Sequence, residues 1–150
     1  MSTWLRMTEF RNVTPTFAVA AQLTPEDLRL AAEAGFRVVI CNRPDGETFG
    51  QPSQAEMLDA AAALGLGFVC LPFAGPPPPK VVADTAELLD RTPGSVLAYC
   101  RTGTRSITAW AMAQALSGAR RPDEIIDLAK RAGYDLGQAR GALETLAPKA

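Results

Sequence analysis

The sequence predicts a three-layer α/β domain with a mostly parallel central sheet, and three observations carry that prediction. Short apolar runs of strand length alternate with segments of helical composition along the whole chain. The apolar runs are nearly continuous rather than alternating, which is the pattern of strands covered on both faces. The chain has 150 residues, 47% of them hydrophobic and 21% charged, which fits one folded domain spanning residues 1–150.

The elements follow in order. Residues 16–20 read as a short apolar strand, and Thr24-Pro25-Glu26-Asp27 then starts a helix, because a threonine before a proline and two acids satisfies the orphan N–H groups of a first turn. That helix is predicted over 25–34 and closed by Gly35. Residues 36–41, Phe-Arg-Val-Val-Ile-Cys, form the next buried strand, and 42–47 form a turn by composition. An alanine-rich helix is expected over 55–64, and a buried strand over 68–71. Gly75 and Pro76 to Pro79 suit neither helix nor inner strand, so they read as a stiff connector and a rim for a pocket. A helix over 81–90, a strand over 95–99 and helices over 106–116, 122–132 and 138–146 complete the order. In such a sheet the ligand site lies beyond the carboxyl ends of the strands.

At one of those ends stands Cys100-Arg101-Thr102-Gly103-Thr104-Arg105-Ser106, with four residues separating Cys100 from Arg105. A turn from strand to helix aims backbone N–H groups at one point, and the positive end of the following helix faces it too. A helix N-terminus with arginines beside it favours an accessible cysteine thiolate. Cys100 is therefore the predicted nucleophile. Arg105 closes the ring around an anion, and Arg101, Thr102, Gly103, Thr104 and Ser106 line it. Gly103 permits the tight backbone turn. Ser106 has two expected uses: a donor to the Cys100 sulfur, or a helix-start serine bonded to backbone. Trp110 and Met112 belong to the helix packed behind the loop.

Composition excludes a good deal. Fifteen basic against sixteen acidic residues leave a net charge of −1, so neither nucleic acid nor an anionic membrane is an expected partner. No apolar stretch approaches the length of a membrane span, and residues 1–12 lack the apolar run of a signal peptide, so the cytoplasm is the expected location. The chain contains no histidine, which removes Ser-His-Asp and Cys-His catalysis and the common zinc ligand sets. A reactive cysteine must rely here on backbone N–H groups, a helix dipole and arginine. No cofactor and no metal are expected. Of the three cysteines, Cys41 and Cys70 fall at predicted strand ends, where they are either core residues or partners able to resolve an oxidised Cys100. The oligomeric state leaves no mark in the sequence.

The loop resembles that of the superfamily joining cysteine-dependent phosphatases and rhodanese-like sulfur transferases. The resemblance extends to Cys41-Asn42-Arg43-Pro44-Asp45-Gly46-Glu47 with Gln51-Pro52, to 98–106, and to Ala132-Gly133-Tyr134-Asp135-Leu136. Together these blocks resemble the phosphatase-like domain of the beta-lactamase-hydrolase-like proteins, over about residues 17–146. That resemblance implies a protein-tyrosine-phosphatase-like fold, a cysteine nucleophile at Cys100 and an anion-binding arginine at Arg105.

The spacing divides the superfamily. Its phosphatases usually set one residue more between cysteine and arginine, whereas rhodanese-like loops usually have the four found here. The resemblance also implies a general acid on the loop after the strand preceding the catalytic one, and Leu71-Pro72-Phe73-Ala74-Gly75-Pro76 contains none. Asp45 or Glu47 would have to supply that proton from a neighbouring strand end. The sequence reading therefore ranks a sulfur transferase first, with Cys100 forming a persulfide and Arg101 and Arg105 binding an anionic donor such as thiosulfate. A phosphatase acting through a phosphocysteine, with Asp45 or Glu47 as acid, is the alternative. A non-catalytic anion-binding or redox-sensing module is the third reading.

Overall fold

The computed structural model describes residues 9–149. The part of the signal-peptide expectation that rests on residues 1–8 lies outside them. Five strands form one sheet in the order β1-β2-β5-β3-β4. They are β1 (Arg11–Thr14), β2 (Phe17–Ala20), β3 (Phe36–Cys41), β4 (Gly67–Cys70) and β5 (Ser95–Tyr99). β1 is antiparallel to β2, and the other pairings are parallel. The predicted α/β class with a mostly parallel sheet is therefore the observed one.

The helices are α1 (Pro25–Glu33), α2 (Gln54–Ala63), α3 (Pro79–Arg91), α4 (Thr104–Ser117), α5 (Pro122–Arg131) and α6 (Arg140–Leu146). Both α1 and α2 start on a capping box. Thr24 Oγ1 accepts from Asp27 N–H while the Asp27 carboxylate accepts from Thr24 N–H, and Ser53 and Glu56 repeat the exchange. Leu28 and Ala31 of α1 and Met57 and Ala61 of α2 cover one sheet face with Val39, Leu97 and Tyr99. On the other face Leu88 of α3, Ile107 and Trp110 of α4, Ile125 of α5 and Leu143 of α6 pack on Val19, Ile40, Val96 and Ala98. Trp110 stacks on Phe17 with ring centroids 5.5 Å apart, so α4 is fixed against the sheet directly behind the loop that it follows.

Four expectations need correction. β1 was not foreseen; it is a four-residue strand with a polar, exposed first half, and its pairing with β2 depends on the turn at Pro15-Thr16 rather than on an apolar run. β4 lies at the sheet edge, partly open to solvent, so the run 68–71 is not a buried strand. Pro79 is not connector but the first residue of α3, a position where its missing N–H costs nothing. The last helix is broken into a 3₁₀ turn, Gly137–Ala139, and α6. Among the described residues no helix is long and apolar enough to cross a membrane.

Candidate active site

β5 is the central strand, and Cys100 follows its last residue at the carboxyl edge of the sheet. The cysteine is 1% exposed, which corrects the expectation of an accessible thiol: the sulfur is the floor of the site. What separates it from an ordinary core cysteine is a donor. The Gly103 N–H points at Cys100 Sγ from 3.1 Å, and a hydrogen bond to sulfur stabilises negative charge there. Gly103 is the N-cap of α4 with φ +95°, and the open first turn of this fourteen-residue helix begins at Thr104, so further N–H groups face the same corner.

Gly103 is required twice over. Its φ lies in the left-handed region, and a Cβ at this position would stand 2.2 Å from the Tyr134 hydroxyl. Tyr134 presses on the loop from the α5–α6 connection and donates its hydroxyl to the Thr102 carbonyl at 3.0 Å. Arg11 of β1 lies over the Tyr134 ring, 5.6 Å from its centroid, and donates to the Ala132 carbonyl. The unforeseen strand β1 thus helps to hold the anion loop. Thr102 and Thr104 are exposed, their hydroxyls 3.1 Å apart. Arg101 is exposed, and its carbonyl accepts from the Gln22 N–H at 3.3 Å.

Arg105 has five N–H donors, and the structure accounts for three of them. Nη1 donates to Glu47 Oε2 at 2.9 Å and to the Phe73 carbonyl at 3.1 Å; Nη2 donates to Glu47 Oε1 at 2.8 Å. The terminal edge of the guanidinium is thereby taken. The two donors left, on Nε and Nη2, lie parallel along the other edge, which is the fork that matches two oxygens of a tetrahedral anion. Glu47 first, with Cys100 as a smaller contributor, holds the guanidinium even more firmly protonated than an ordinary arginine.

Glu47 does not sit as an acid. Its Oε1 also accepts from Arg43 Nε at 2.9 Å, so the carboxylate receives three charge-assisted hydrogen bonds from two arginines. The Arg105 bonds foremost, and then those from Arg43, pull its pKa down to about 2. At neutral pH it has no proton to give. Asp45 is turned the other way: Oδ1 accepts from the Gln54 N–H at 2.8 Å, capping an orphan donor in the first turn of α2. In this structure both residues proposed as leaving-group acids are occupied as acceptors.

Ser106 meets neither of its expectations. Buried, it donates to Asn42 Oδ1 at 2.8 Å, while Asn42 Nδ2 donates to the Leu71 carbonyl at 2.9 Å. Asn42 therefore ties the start of α4 to the β3 and β4 ends. Cys41 and Cys70 are register neighbours on β3 and β4. Cys41 is buried on the face that carries Tyr99, and burial pushes its thiol up. Cys70 is exposed rather than core, with desolvation and then Asp45 raising its pKa. Strand alternation puts Cys41, in register with Tyr99, and Cys100 on opposite faces, so Cys41 is not placed to resolve an oxidised Cys100. Among the described residues no group of three or more Cys, Asp or Glu stands together as a metal site.

Against known proteins, residues 9–117 match the family described as beta-lactamase hydrolase-like protein, phosphatase-like domain. The chain belongs to that family. Beta-lactamase hydrolase-like proteins of Agrobacterium fabrum (strain C58) and Xylella fastidiosa (strain 9a5c) are 32% and 30% identical over 84% and 89% of this chain. The chain spans only about 30% of the length of these curated relatives. A candidate phosphatase from Neisseria meningitidis (strain Z2491) is similar in structure, with TM-score 0.77, 33% identity, and coverage of 91% of this chain and 97% of its own. Tk-PTP in its active form shares the fold at TM-score 0.68 and 17% identity, over 91% of this chain and 95% of its own. These relationships favour the phosphatase alternative over the sulfur transferase that the loop spacing ranked first.

Proposed function

We propose that this domain is a cysteine-dependent phosphatase. The Cys100 sulfur attacks phosphorus in line, the ester P–O bond breaks, and a phosphocysteine forms; water then attacks the same phosphorus, releasing phosphate and returning the thiolate. The observation that carries this reading is Arg105: Glu47 holds one edge of its guanidinium, and the free Nε and Nη2 donors form a fork for two phosphoryl oxygens. The Gly103 N–H and the α4 N-terminus supply the remaining positive field. Arg101, exposed at the mouth, attracts the anionic ester. Because Glu47 and Asp45 are both acceptors, the preferred esters are those whose leaving group departs without a proton. In this reading residues 1–150 form one phosphatase-like domain that acts in the cytoplasm on a small anionic ester, with no cofactor and no nucleic acid.

Sulfur transfer is the second reading, and one observation favours it: the four-residue spacing between Cys100 and Arg105, a small ring suited to a persulfide, which presents one terminal sulfur rather than three phosphoryl oxygens. One experiment separates the two. The protein is treated with p-nitrophenyl phosphate, and in parallel with thiosulfate, then quenched in acid and its Cys100 peptide weighed. Turnover of the ester with a phosphoryl adduct on Cys100, both lost in Cys100→Ser, supports the phosphatase. A persulfide adduct with no ester turnover supports the transferase.

A further inference from the structure

We propose that Arg43 is a positioning residue for phosphoryl transfer: buried behind Glu47, it fixes the carboxylate on which Arg105 rests, and so aims the free edge of Arg105 at the anion above Cys100. The inference rests on the phosphatase reading for its chemistry and on Arg43 itself for its geometry. Arg43 follows β3, and its side chain is only 4% exposed. Taking a guanidinium out of water costs several kcal/mol unless an anion and further acceptors compensate. Here Nε meets Glu47 Oε1 at 2.9 Å, Nη1 meets Gln22 Oε1 at 2.9 Å, and Nη2 approaches Thr48 Oγ1 at 3.4 Å.

Two features make this more than a satisfied core arginine. Glu47 Oε1 is shared, receiving Arg43 Nε and Arg105 Nη2 together, so a displacement of Arg43 passes through one oxygen to the anion-binding arginine. Gln22, which takes the second Arg43 donor, also gives its backbone N–H to the Arg101 carbonyl. Arg43 therefore braces both ends of the loop between Arg101 and Arg105.

Charge points the same way. Arg43, Glu47 and Arg105 together carry one net positive charge. With Arg43 neutralising Glu47, the charge of Arg105 is left for the phosphoryl group. Without Arg43, Glu47 would divide Arg105 between itself and the incoming dianion, and would repel that dianion. The charged groups facing Glu47 are Arg43 from its own loop and Arg105 from α4; Cys100 faces Arg105 from beyond, and Asp45 is turned to the start of α2.

The test uses protein labelled with ¹³C at the glutamate carboxyls, in native form and as Arg43→Gln and Arg43→Lys, with and without inorganic phosphate, beside pH profiles of kcat and kcat/KM for p-nitrophenyl phosphate. In native protein Glu47 is expected to show no titration between about pH 4 and 8. In Arg43→Gln it titrates inside that window once phosphate is bound, kcat/KM falls by about tenfold to a hundredfold, and the kcat profile, which reports the substrate-bound enzyme, gains an acid limb that Arg43→Gln/Glu47→Gln lacks. Arg43→Lys restores the flat Glu47 signal but not the full rate, because a point charge cannot serve three acceptors in one plane. An unmoved Glu47 titration with an unchanged profile in Arg43→Gln overturns the proposal. Should Arg43→Gln not fold, native turnover by Arg43→Lys overturns it equally. If the native protein fails to turn over the ester, the phosphatase reading falls, and the carboxyl signals still decide for or against Arg43.

Discussion

Replacing Gly103 by alanine tests how the anion loop is held. Two costs arise from the geometry. The backbone at φ +95° disfavours any side chain, by about 1–2 kcal/mol. The new Cβ would lie 2.2 Å from Tyr134 Oη and 3.0 Å from its Cζ, so the ring must retreat by about 1 Å to reach ordinary contact, and it gives up its bond to the Thr102 carbonyl. Such a bond is worth about 0.5–1.5 kcal/mol. The two effects together place Gly103→Ala about 2–3 kcal/mol below the native protein. Urea unfolding followed by tryptophan fluorescence measures this, and a double-mutant cycle with Tyr134→Ala separates the two parts. In the Tyr134→Ala background only the backbone cost remains, so the coupling is about 1 kcal/mol. A Gly103→Ala penalty below about 0.5 kcal/mol, or the same penalty with and without the Tyr134 ring, would refute the clamp.

Other outcomes follow from the same geometry. Glu47→Gln should lower kcat/KM for aryl phosphates without removing an acid limb, because native Glu47, with a pKa of about 2, is already ionised at assay pH. The depressed pKa also has a sign: its stabilisation is present above the unfolded value of 4.5 and fades as pH falls toward about 2. With the Glu47 side chain 26% exposed, the screened amount is about 1 kcal/mol, read as the extra loss of native stability relative to Glu47→Gln between about pH 5 and 2. Arg105→Lys should lose most affinity for inorganic phosphate in calorimetric titration, since an ammonium keeps the charge but not the fork. Across a series of aryl phosphates, log kcat/KM, which reports the step that expels the leaving group, should fall steeply as leaving-group pKa rises, and a flat series would mean that a proton donor operates at the site. Iodoacetamide should label exposed Cys70 before buried Cys41 in the folded protein, as peptide mass mapping would record.

The fold was legible wherever local chemistry sets local structure. Thr24-Pro25-Glu26-Asp27 announces α1, because its cap, its first-turn proline and its acids all act within four residues. The apolar run 36–41 announces β3 for the same reason. β1 escaped because half of its four residues are polar and exposed, and its partner β2 supplies what its own sequence lacks. The position of β4 at the edge was equally invisible, since strand order is a property of the whole sheet. In the candidate site, Cys100, Gly103 and Arg105 could be read from one loop. Glu47 could be found only as a charged turn residue, 58 positions from the arginine it grips, and Ser106 stands 64 positions from Asn42. Segment 42–47 looks like a turn by composition and is one. Its function lies in long-range pairs that no local periodicity encodes.

Those long-range pairs bear on the central chemical question. A loop one residue shorter offers one N–H fewer, which by itself leaves an equatorial phosphoryl oxygen less well met. That count treats the loop as the whole cradle. In the folded chain several contacts share that role. Glu47 fixes Arg105 so that two parallel donors stand free, Tyr134 fixes the loop carbonyl at Thr102, and Gly103 gives its N–H to the sulfur. A held fork loses less entropy on binding than a mobile one, and preorganised donors are what stabilise a transferring phosphoryl group. Rigidity in Arg105 can therefore offset a missing backbone donor. It offers nothing in place of a missing proton. On the proposed phosphatase reading, the two departures from the phosphatases of the superfamily thus have different consequences: the shorter loop is compatible with phosphoryl transfer, whereas the engaged carboxylates would restrict transfer to esters with stable leaving groups.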